Sequence, residues 1–420
     1  MVMRYEVVET RTEPTVKLVI GTESYYLHSK YNPVKEAYKW VSGIEAKKKH
    51  RSNLAVVGMG AGHHIRALLK EVDDSKIVVF DFNDNYTNWV LKSGLINDLI
   101  LDKRVTYYSI NNKKGLEEFR SALDENFIIY EPSLKLFTSQ YKRIKDKLEN
   151  YLIQERTIID QRDQFHENYM LNIKLKDPGI NKYKKPEKTT MILVSAGPSL
   201  TKQLPLLKKA SLSEHYTIGA VGTAYKPLMH NGIVPNFVMI SDPKQAIVDQ
   251  FYQCETNTST LFYLSTANNQ AVSNFKGPRY IIWQDGYCRA EEEAKKRQEP
   301  LINTGGSVAT SLLDLMVFLG AKKIALIGQD LAFTNGKSHA EDTHAIRTVR
   351  PSAFFRKVSN YYQNETVYTS RNLSIYLDWF AQYIIGKNFI EFWNCTEGGA
   401  YIDGWKHDKF ENYLGIESTS

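Results

Sequence analysis

Four short polar segments between residues 195 and 308 each follow a predicted buried strand or open a predicted helix. They are Ser195-Ala196-Gly197-Pro198-Ser199-Leu200, Gly222-Thr223-Ala224, Ser241-Asp242-Pro243 and Thr304-Gly305-Gly306-Ser307-Val308. Glycine lets the backbone approach a ligand closely, and the free N–H groups at the start of a helix attract phosphate. In an open α/β sheet these segments gather at the carboxyl ends of the strands, where ligands bind. The spacing therefore predicts a nucleotide site.

The densest polar cluster of the chain follows the next predicted strand, residues 324–327. Gly328, Gln329 and Asp330 come first, and Asn335-Gly336, His339 and His344 follow within fifteen residues. An exposed hinge with helix-capping side chains is the structural alternative for any one of these residues. The position directly beyond a strand end favours a functional role for the cluster as a whole.

An earlier glycine turn, Gly58-Met59-Gly60-Ala61-Gly62, follows the apolar residues 54–57, and Asp81 ends the next predicted strand. Dinucleotides and S-adenosylmethionine use this arrangement, with glycines near the phosphate or methionine and a carboxylate for the ribose hydroxyls. The alternative is a scaffold in which the glycines only make the turn, and we favour it because a fold does not imply a cofactor. Whether this turn binds any cofactor stays open at this stage.

Parallel sheets must position these turns, and the hydrophobic pattern predicts an α/β protein with two Rossmann-like domains. Residues 1–50 predict a small β-rich cap and residues 51–135 the first Rossmann-like domain. A helical connector and a lysine-rich linker are expected over 136–188, with a domain boundary in the lysine-rich part. Residues 189–335, completed by 389–405, predict the central Rossmann-like domain, and residues 336–420 a mainly helical region.

Composition bounds the class of protein. A chain of 420 residues with 42% hydrophobic and 24% charged residues is typical of a globular protein with more than one domain. We find no apolar run of membrane-spanning length and no signal-peptide region at the start, so we expect a cytoplasmic protein without membrane insertion.

The net charge of +7 concentrates in short runs such as residues 47–51, which predicts a solvated surface and no nucleic-acid partner. Cys254, Cys288 and Cys395 lack the spacing of a zinc site or a disulfide framework.

The order of these motifs resembles the motility accessory factor (Maf) flagellin glycosyltransferases. The central domain of that family shares motifs with hydroxymethylpterin diphosphokinases and resembles bacterial family-42 sialyltransferases. The segment at 195–200 resembles the family's nucleotide turn, Ser241-Asp242 its central serine-aspartate, and 304–308 its glycine-serine-valine helix opening. The later matches are Gly328-Gln329-Asp330-Leu331, Asn335-Gly336, His339-Ala340 and the closing segment 394–402. The resemblance covers residues 15–405, and it departs from the sialyltransferases in having Ser195 and Ala196 before Gly197.

The resemblance implies transfer of a sialic, pseudaminic or legionaminic acid from a CMP-activated donor to serine or threonine of flagellin, which would serve flagellum assembly and motility. It implies a histidine base in a lid-like segment, for which we prefer His339 over His344, with Asp330 as a further catalytic candidate. The substrate-binding residues would be Ser195, Gly197, Pro198, Ser199, Gly222, Thr223, Ser241, Asp242, Thr304, Gly305, Gly306, Ser307, Gly328 and Gln329. No tightly bound cofactor is expected, and any magnesium ion would be held by Asp242 and Asp330.

Two other functions stay open. The shared central motifs also fit an ATP-dependent diphosphokinase-like enzyme, although the long N-terminal domain argues against it because the pterin enzymes are mostly the central domain alone. A non-catalytic flagellin-binding accessory protein is the third possibility. After His344 we expect a helical segment whose cations contact an acidic sugar or form a solvated basic face, namely Arg347, Arg350, Arg356, Lys357 and Arg371.

Overall fold

The computed structural model describes residues 3–44, 53–72, 74–111, 113–123, 127–187, 189–251, 258–343, 346–348 and 355–416. The chain divides into two compact units, Met1–Glu155 (unit 1) and Arg156–Ser420 (unit 2). Each unit contains a parallel sheet with helices between its strands. The predicted α/β class with two Rossmann-like domains is therefore confirmed. No helix among the described residues combines the length and the apolar character needed to cross a membrane.

Unit 1 begins with the predicted β-rich cap, an antiparallel sheet of β1 (Met3–Val8), β2 (Thr15–Ile20) and β3 (Glu23–Tyr26). The helix α1 (Pro33–Ser42) follows. The Asn32 side chain accepts a hydrogen bond from the Lys35 N–H group, and proline occupies the first helical position. Both features favour a helix start at this point, because they satisfy or remove N–H groups that lack a partner in the helix.

A four-stranded parallel sheet forms the rest of unit 1. Its strands are β4 (Asn53–Val57), β5 (Lys76–Asp81), β6 (Val105–Ser109) and β7 (Ile128–Ile129), in the order β6-β5-β4-β7. The helices are α2 (His63–Glu71), α3 (Asp84–Lys92), α4 (Asn97–Leu101), α5 (Lys113–Leu123) and α6 (Lys142–Asp160). The boundary between the two units falls within α6.

Unit 2 is built on a nine-stranded sheet whose neighbouring strands are all parallel. Its strands are β8 (Thr190–Val194), β9 (Thr217–Val221), β10 (Phe237–Ile240), β11 (Thr260–Leu264), β12 (Arg279–Gln284), β13 (Leu301–Ile302), β14 (Lys323–Ile327), β17 (Glu391–Asn394) and β18 (Lys406–His407). A separate hairpin pairs β15 (Arg356–Ser359) with β16 (Thr366–Thr369). The sheet order is β13-β12-β11-β10-β9-β8-β14-β17-β18. The strand order therefore reverses between β8 and β14.

The helices of unit 2 are α7 (Arg162–Lys174), α8 (Leu200–Ser211), α9 (Gly222–His230), α10 (Asn269–Asn274), α11 (Cys288–Arg297), α12 (Val308–Phe318), α13 (Arg371–Tyr383) and α14 (Phe410–Tyr413). Short 3-10 turns lie at Ile180–Lys182, Gln245–Gln250 and Thr334–Gly336. The central strands are buried along nearly their whole length. Continuous apolar runs are typical of parallel strands covered on both faces.

The lysine-rich stretch belongs to unit 2 and packs against its sheet through residues 177–180, where the sequence predicted an exposed linker. The Ile281 N–H group of β12 donates to the Pro178 carbonyl oxygen at 3.0 Å, and Ile180 is only 1% exposed. An ion pair at 3.0 Å joins Asp177 to Arg279. The prolines and lysines suggested a linker because they resist regular structure, but one buried isoleucine and one ion pair attach this stretch to the sheet.

The C-terminal region, predicted to be mainly helical, contains α13 and α14 together with the β15–β16 hairpin and two strands of the main sheet. The hairpin replaces the helical segment expected after His344. Its second strand, Thr366-Val367-Tyr368-Thr369, consists of β-branched and aromatic residues, which favour strands. β17 completes the central sheet beside β14.

Candidate functional site

The carboxyl ends of β8 and β14 meet where the strand order of unit 2 reverses. The Ser195 N–H group donates to the Ile327 carbonyl oxygen at 2.8 Å, and the Gly197 N–H group donates to the Gly328 carbonyl oxygen at 2.7 Å. Two segments predicted separately as parts of a nucleotide site are thus joined. Open α/β sheets bind ligands outside the strand ends at such a reversal.

Asp330 fixes the turn that follows β8. The side chain is 2% exposed, and its Oδ2 accepts hydrogen bonds from the Ser199 N–H group at 3.2 Å and the Ser199 hydroxyl at 2.6 Å. Its Oδ1 accepts from the Thr334 hydroxyl at 2.8 Å. Burial raises the pKa of Asp330, and these hydrogen bonds act in the opposite direction. Both carboxylate oxygens accept bonds from the protein, which tie Asp330 to the turn, and its catalytic role stays a prediction.

The close packing of the turn on Asp330 explains why residue 197 is glycine. A Cβ atom there would lie 2.5 Å from the Gly328 carbonyl oxygen and would overlap the Asp330 carboxylate. The second half of the turn starts α8, since the Leu200 N–H group bonds the Gly197 carbonyl oxygen at 3.0 Å. The turn therefore delivers the N-terminus of α8 to the strand ends, as phosphate binding requires.

The closing segment 394–402 lies on the other side of Asp330. The Ala400 N–H group donates to the Asp330 carbonyl oxygen at 2.7 Å, and the Gln329 N–H group donates to the Thr396 hydroxyl oxygen at 3.2 Å. Gly399 has a φ of +73°, and a Cβ atom there would overlap the Asp330 backbone. The Ser195 hydroxyl also bonds Gln329. The motifs of β8, β14 and β17 thus form one connected structure.

His407 holds this closing segment in place, and sequence reasoning missed it. Its Nε2 accepts hydrogen bonds from the Ile402 N–H group and the Asn394 side-chain amide, both at 3.2 Å. The Nδ1–H group donates to the Trp405 carbonyl oxygen at 3.0 Å. Burial lowers the pKa of His407, which favours the neutral ring that can accept these bonds. No motif contained His407, and only its long-range contacts reveal its role.

Residues predicted at the ends of β9 and β10 lie on the adjacent strands. Gly222 and Thr223 open α9 directly after β9. The buried Gln250 side chain donates from Nε2 to the Thr223 hydroxyl oxygen at 3.3 Å. Ser241 is half-buried, and Asp242 is exposed, with its Oδ1 accepting from the Lys244 N–H group at 2.9 Å. The adjacency of β8, β9 and β10 brings these segments to one edge of the sheet.

The Thr304-to-Val308 segment packs against α13. A Cβ atom on Gly305 would lie 2.5 Å from the Trp379 ring, and one on Gly306, whose φ is +88°, would lie 3.2 Å from the Tyr376 ring. The Ser307 hydroxyl caps α12 by accepting from the Ala309 N–H group at 3.4 Å.

Tyr376 of α13 lies against Gly306 of this turn. Burial raises the pKa of Tyr376, and the negative charge of Asp242 raises it further. Sequence reasoning missed Tyr376 and Trp379 because they lie on a helix of ordinary composition outside every motif.

His339 is connected to the β8 turn through its neighbour. The Ala340 N–H group donates to the Ala196 carbonyl oxygen at 2.8 Å, and the His339 Nδ1 lies 3.1 Å from the Ser338 hydroxyl oxygen. An antiparallel bridge between Lys337 and Thr348 closes the loop that contains His339. His344, the second predicted base, lies outside the described residues.

The predicted cations are dispersed along the chain. Arg347 is exposed, Arg350 lies outside the described residues, and Arg356 and Lys357 belong to β15. Arg371 is the first residue of α13. Lys202 of α8 is a further cation near the turn, because its positive charge lowers the pKa of Asp330.

No cluster of three or more His, Cys, Asp or Glu side chains within the described ranges is arranged to hold a metal ion. Both oxygens of Asp330 accept protein hydrogen bonds, whereas Asp242 is exposed beyond β10. Magnesium binding by these two residues therefore stays a prediction.

The glycine turn of unit 1 is filled by side chains of its own unit. A Cβ atom on Gly58 would overlap Ser133, and one on Gly60 would lie 2.8 Å from the His28 ring. His28 bonds His64 at 3.0 Å, and His64 stacks on Tyr130 at a centroid distance of 3.8 Å. The glycines therefore lie in close contact with side chains of unit 1 itself.

Asp81 of unit 1 is likewise occupied. Its Oδ2 accepts from the Tyr107 hydroxyl at 2.5 Å and from the Met59 N–H group at 3.3 Å. Burial raises the pKa of Asp81 to about 7. The carboxyl group therefore bonds Tyr107 and Met59 of unit 1, whereas the sequence had suggested that it could bind ribose hydroxyls.

A separate depression of about 530 Å³ lies at the amino end of β12, lined by Asp177, Pro178 and residues 275–280. Two of its charged groups are paired with each other, since Arg279 contacts Asp177 at 3.0 Å, and the Tyr263 hydroxyl donates to the same carboxylate at 2.9 Å. Ligands of parallel sheets bind at the opposite, carboxyl ends of the strands. We therefore place the candidate site at the ends of β8, β9, β10 and β14.

Two similarities to known proteins bear on the family of the central domain and on the fold of the chain. Residues 163–336 match the family model described as 6-hydroxymethylpterin diphosphokinase MptE-like. The chain is similar to a solved Maf glycosyltransferase from Magnetospirillum magneticum AMB-1, with a TM-score of 0.54 and 14% sequence identity, over 99% of this chain and 71% of that one. A search of curated protein sequences gave no significant match.

The matched family segment begins in α7 and ends after the Asp330 segment, so it includes the β8 turn and the strand ends around it. The structural similarity extends over both units of the chain. The resemblance inferred from the sequence motifs is confirmed in two respects: residues 163–336 match the MptE-like family model, and the chain has a fold similar to that of a Maf glycosyltransferase.

Proposed function

We propose that this protein is a glycosyltransferase that moves an acidic nine-carbon sugar of the sialic, pseudaminic or legionaminic type from a CMP-activated donor to serine or threonine hydroxyls of flagellin. The observation that carries the proposal is the β8 turn on Asp330, at the strand reversal of a chain with the Maf glycosyltransferase fold. The turn places the N-terminus of α8 at the strand ends, with the Ser195 hydroxyl bonded to Gln329 and the Ser199 hydroxyl bonded to Asp330.

In the proposed reaction, the acceptor hydroxyl oxygen forms a bond to the anomeric carbon of the sugar while the bond from that carbon to the CMP phosphate oxygen breaks. The proton of the hydroxyl passes to a histidine, for which His339 is the first candidate and His344 the second. The departing phosphate gains negative charge, which N–H groups at the starts of α8 and α12 would stabilise. His339 fits this role because Ala340 fastens its loop to the β8 turn.

The test combines the purified chain with a CMP-activated nonulosonate and flagellin, and the intact mass of flagellin is measured. We expect a mass increase of one sugar residue per modified site, and release of CMP in equal amount. A matched reaction with the Gly197→Ala variant should show far less transfer, since the variant disturbs the turn. The proposal would be refuted if the protein bound none of the nonulosonate donors and left the mass of flagellin unchanged with each of them.

A second candidate, a diphosphokinase-like activity, is favoured by one observation, the family match over residues 163–336. It predicts transfer of a diphosphate group from ATP to the hydroxyl of a 6-hydroxymethylpterin, with release of AMP. The two functions separate in one thermal-shift series with CMP and ATP, because a ligand that binds the folded state raises its unfolding temperature. Stabilisation by ATP and not by CMP, followed by AMP release with the pterin, would favour this second function.

A further inference from the structure

Gln250 lies beneath the start of α9, and no motif singled it out. Its side chain is 7% exposed, and it follows the end of β10 in the 3-10 turn Gln245–Gln250. Nε2 donates to the Thr223 hydroxyl oxygen at 3.3 Å. Oε1 is buried and has no hydrogen-bond partner in the described part of the chain. A side chain on Gly222 would overlap this oxygen, so glycine is needed there to admit the amide.

The amide restricts how the Thr223 hydroxyl can bond. A hydroxyl has one proton to donate and two lone pairs, and the Gln250 N–H group already takes one lone pair. Thr223 is the second residue of α9, where no preceding helical turn supplies a carbonyl to accept its proton. Among the described residues the Thr223 hydroxyl donates to no protein acceptor, so its proton can be donated to a ligand at the start of α9.

The N-terminus of α9 also presents donors. Its N-cap residue, Val221, makes no side-chain cap, so the first N–H groups of this nine-residue helix have no capping acceptor from that side chain. Together with the Thr223 hydroxyl, they make an edge composed of donors. Such an edge fits an anionic oxygen, as carried by a phosphate or a carboxylate.

We propose that Gln250 is a positioning residue that fixes the Thr223 hydroxyl as a hydrogen-bond donor to an anionic oxygen of the nucleotide-sugar donor. The inference rests on the proposed nucleotide site and deepens it, since it assigns the start of α9 to a charged oxygen of the ligand. Glutamine suits this position because its N–H group contacts the hydroxyl without bringing a negative charge near that oxygen. The contact reaches the ligand only through Thr223.

A double-mutant cycle tests the proposal, with CMP affinity measured by calorimetry for wild type, Gln250→Met, Thr223→Val and the combined variant. We expect each single variant to weaken CMP binding by about 3- to 10-fold, the range for one hydrogen bond. The combined variant should bind no more weakly than Thr223→Val alone, because Gln250 acts through that hydroxyl. Thr223→Ser, which keeps the hydroxyl, should bind CMP like wild type.

The control is Gln245→Met, which changes an exposed glutamine of the same 3-10 turn and should leave CMP affinity unchanged. Unfolding midpoints are recorded for every variant. If Gln250→Met does not fold, Gln250→Glu takes its place, since its carboxylate would accept the Thr223 proton and turn the donor away from the ligand. Additive losses in the cycle, or wild-type affinity in both single variants, would overturn the proposal.

The choice of ligand shows whether Thr223 contacts the phosphate or the sugar carboxylate of the donor. It also distinguishes a failure of this inference from a failure of the proposed function. Equal losses with CMP and with CMP-N-acetylneuraminate, and none with cytidine, would assign the contact to phosphate. Loss with the nucleotide sugar alone would assign it to the carboxylate. A wild type that binds ATP or pyrophosphate but not CMP would reject the proposed donor, and the same cycle with that ligand would still decide the role of Gln250. A wild type that binds none of these ligands would overturn both.

Discussion

Replacement of Gly197 by alanine should loosen the turn that follows β8. The new Cβ atom would lie 2.5 Å from the Gly328 carbonyl oxygen and closer still to the Asp330 carboxylate. Neither group has room to move freely, because Gly328 is paired to Gly197 and Asp330 is held by Ser199 and Thr334. The carboxylate or the turn must shift by roughly 1 Å to reach an ordinary contact distance.

The magnitude follows from the hydrogen bonds that such a shift would break. Two bonds join Ser199 to Asp330, and each bond to a charged group contributes roughly 1.5 to 3 kcal/mol. Loss of most of this energy would destabilise unit 2 by about 3 kcal/mol. For a unit of this size the unfolding temperature should fall by roughly 6 to 12 °C. CMP binding should weaken at least tenfold, since the N-terminus of α8 moves with the turn.

Thermal unfolding by circular dichroism and CMP titration provide the two measurements. Gly43→Ala is the matched control. Gly43 has a φ of −77°, and the atom nearest to a new Cβ there, the Trp40 carbonyl oxygen, would be 3.4 Å away. That variant should unfold within about 2 °C of wild type. A Gly197→Ala protein that unfolds and binds CMP like the control would refute the assigned packing of the turn on Asp330.

Four further substitutions test contacts described above in the two units. Tyr376→Phe keeps the ring beside Gly306 but removes the hydroxyl. The KM for the sugar donor should therefore rise about 2- to 10-fold, while the unfolding midpoint stays within about 2 °C of wild type. An unchanged KM would show that the Tyr376 hydroxyl does not contact the donor. His407→Gln keeps a hydrogen-bond acceptor at this position but removes the group that titrates. Because the pKa of folded His407 is lowered from 6.5, the wild-type protein loses stability as pH falls below about 6.5. The variant should therefore lose less stability than wild type between pH 7 and 5 in pH-dependent melts. Burial raises the pKa of Asp81 from 3.8 to about 7, so the unfolded state loses its proton first and the buried carboxyl costs stability as pH rises between these values. The stability advantage of Asp81→Asn over wild type should therefore grow up to pH 7 and level off above it in pH-dependent melts, and a constant difference would count against the buried carboxyl. His339→Ala should lower turnover by about a hundredfold with little change in CMP affinity, and wild-type turnover in the variant lacking both candidate histidines would exclude a histidine base.

Much of the fold could be predicted from local sequence. Apolar runs such as Met191-Ile192-Leu193-Val194 predict buried parallel strands, and the glycine-containing turns after them predict the strand ends. The β8 and β14 segments were predicted as parts of one site, and the structure joins them by backbone hydrogen bonds. These predictions succeed because each depends on a short stretch of chain and on the general rule that parallel strands end at one edge.

The residues that sequence reasoning missed act through distant contacts. Gln250 bonds a residue 27 positions earlier in the chain, and Tyr376 packs on a glycine turn from a helix outside the matched family segment. The lysine-rich stretch and the β15–β16 hairpin were misjudged for a related reason. Local composition suggested a linker and a helix, but Ile180 packs against the sheet and Val367 pairs with Val358. Tertiary packing overrides local preference in the lysine-rich stretch, whereas the β-branched and aromatic residues of β16 themselves favour a strand.

The two glycine turns of the chain show most directly why a motif alone does not define a site. Both follow a buried parallel strand and open a helix, and by sequence the turn at 58–62 matches the dinucleotide pattern better than the turn at 195–200. In unit 1, His28 from before the turn and Ser133 from after it lie directly against the glycines, and the rings of His28, His64 and Tyr130 pack together there. In unit 2, the close contact comes from Asp330, whose carboxylate accepts hydrogen bonds from the Ser199 N–H group and the Ser199 hydroxyl. Glycine is required in both turns because another group approaches closely, which is a serine and a histidine ring in the first turn and a hydrogen-bonded carboxylate in the second. The difference is set by residues more than 25 positions away in the chain.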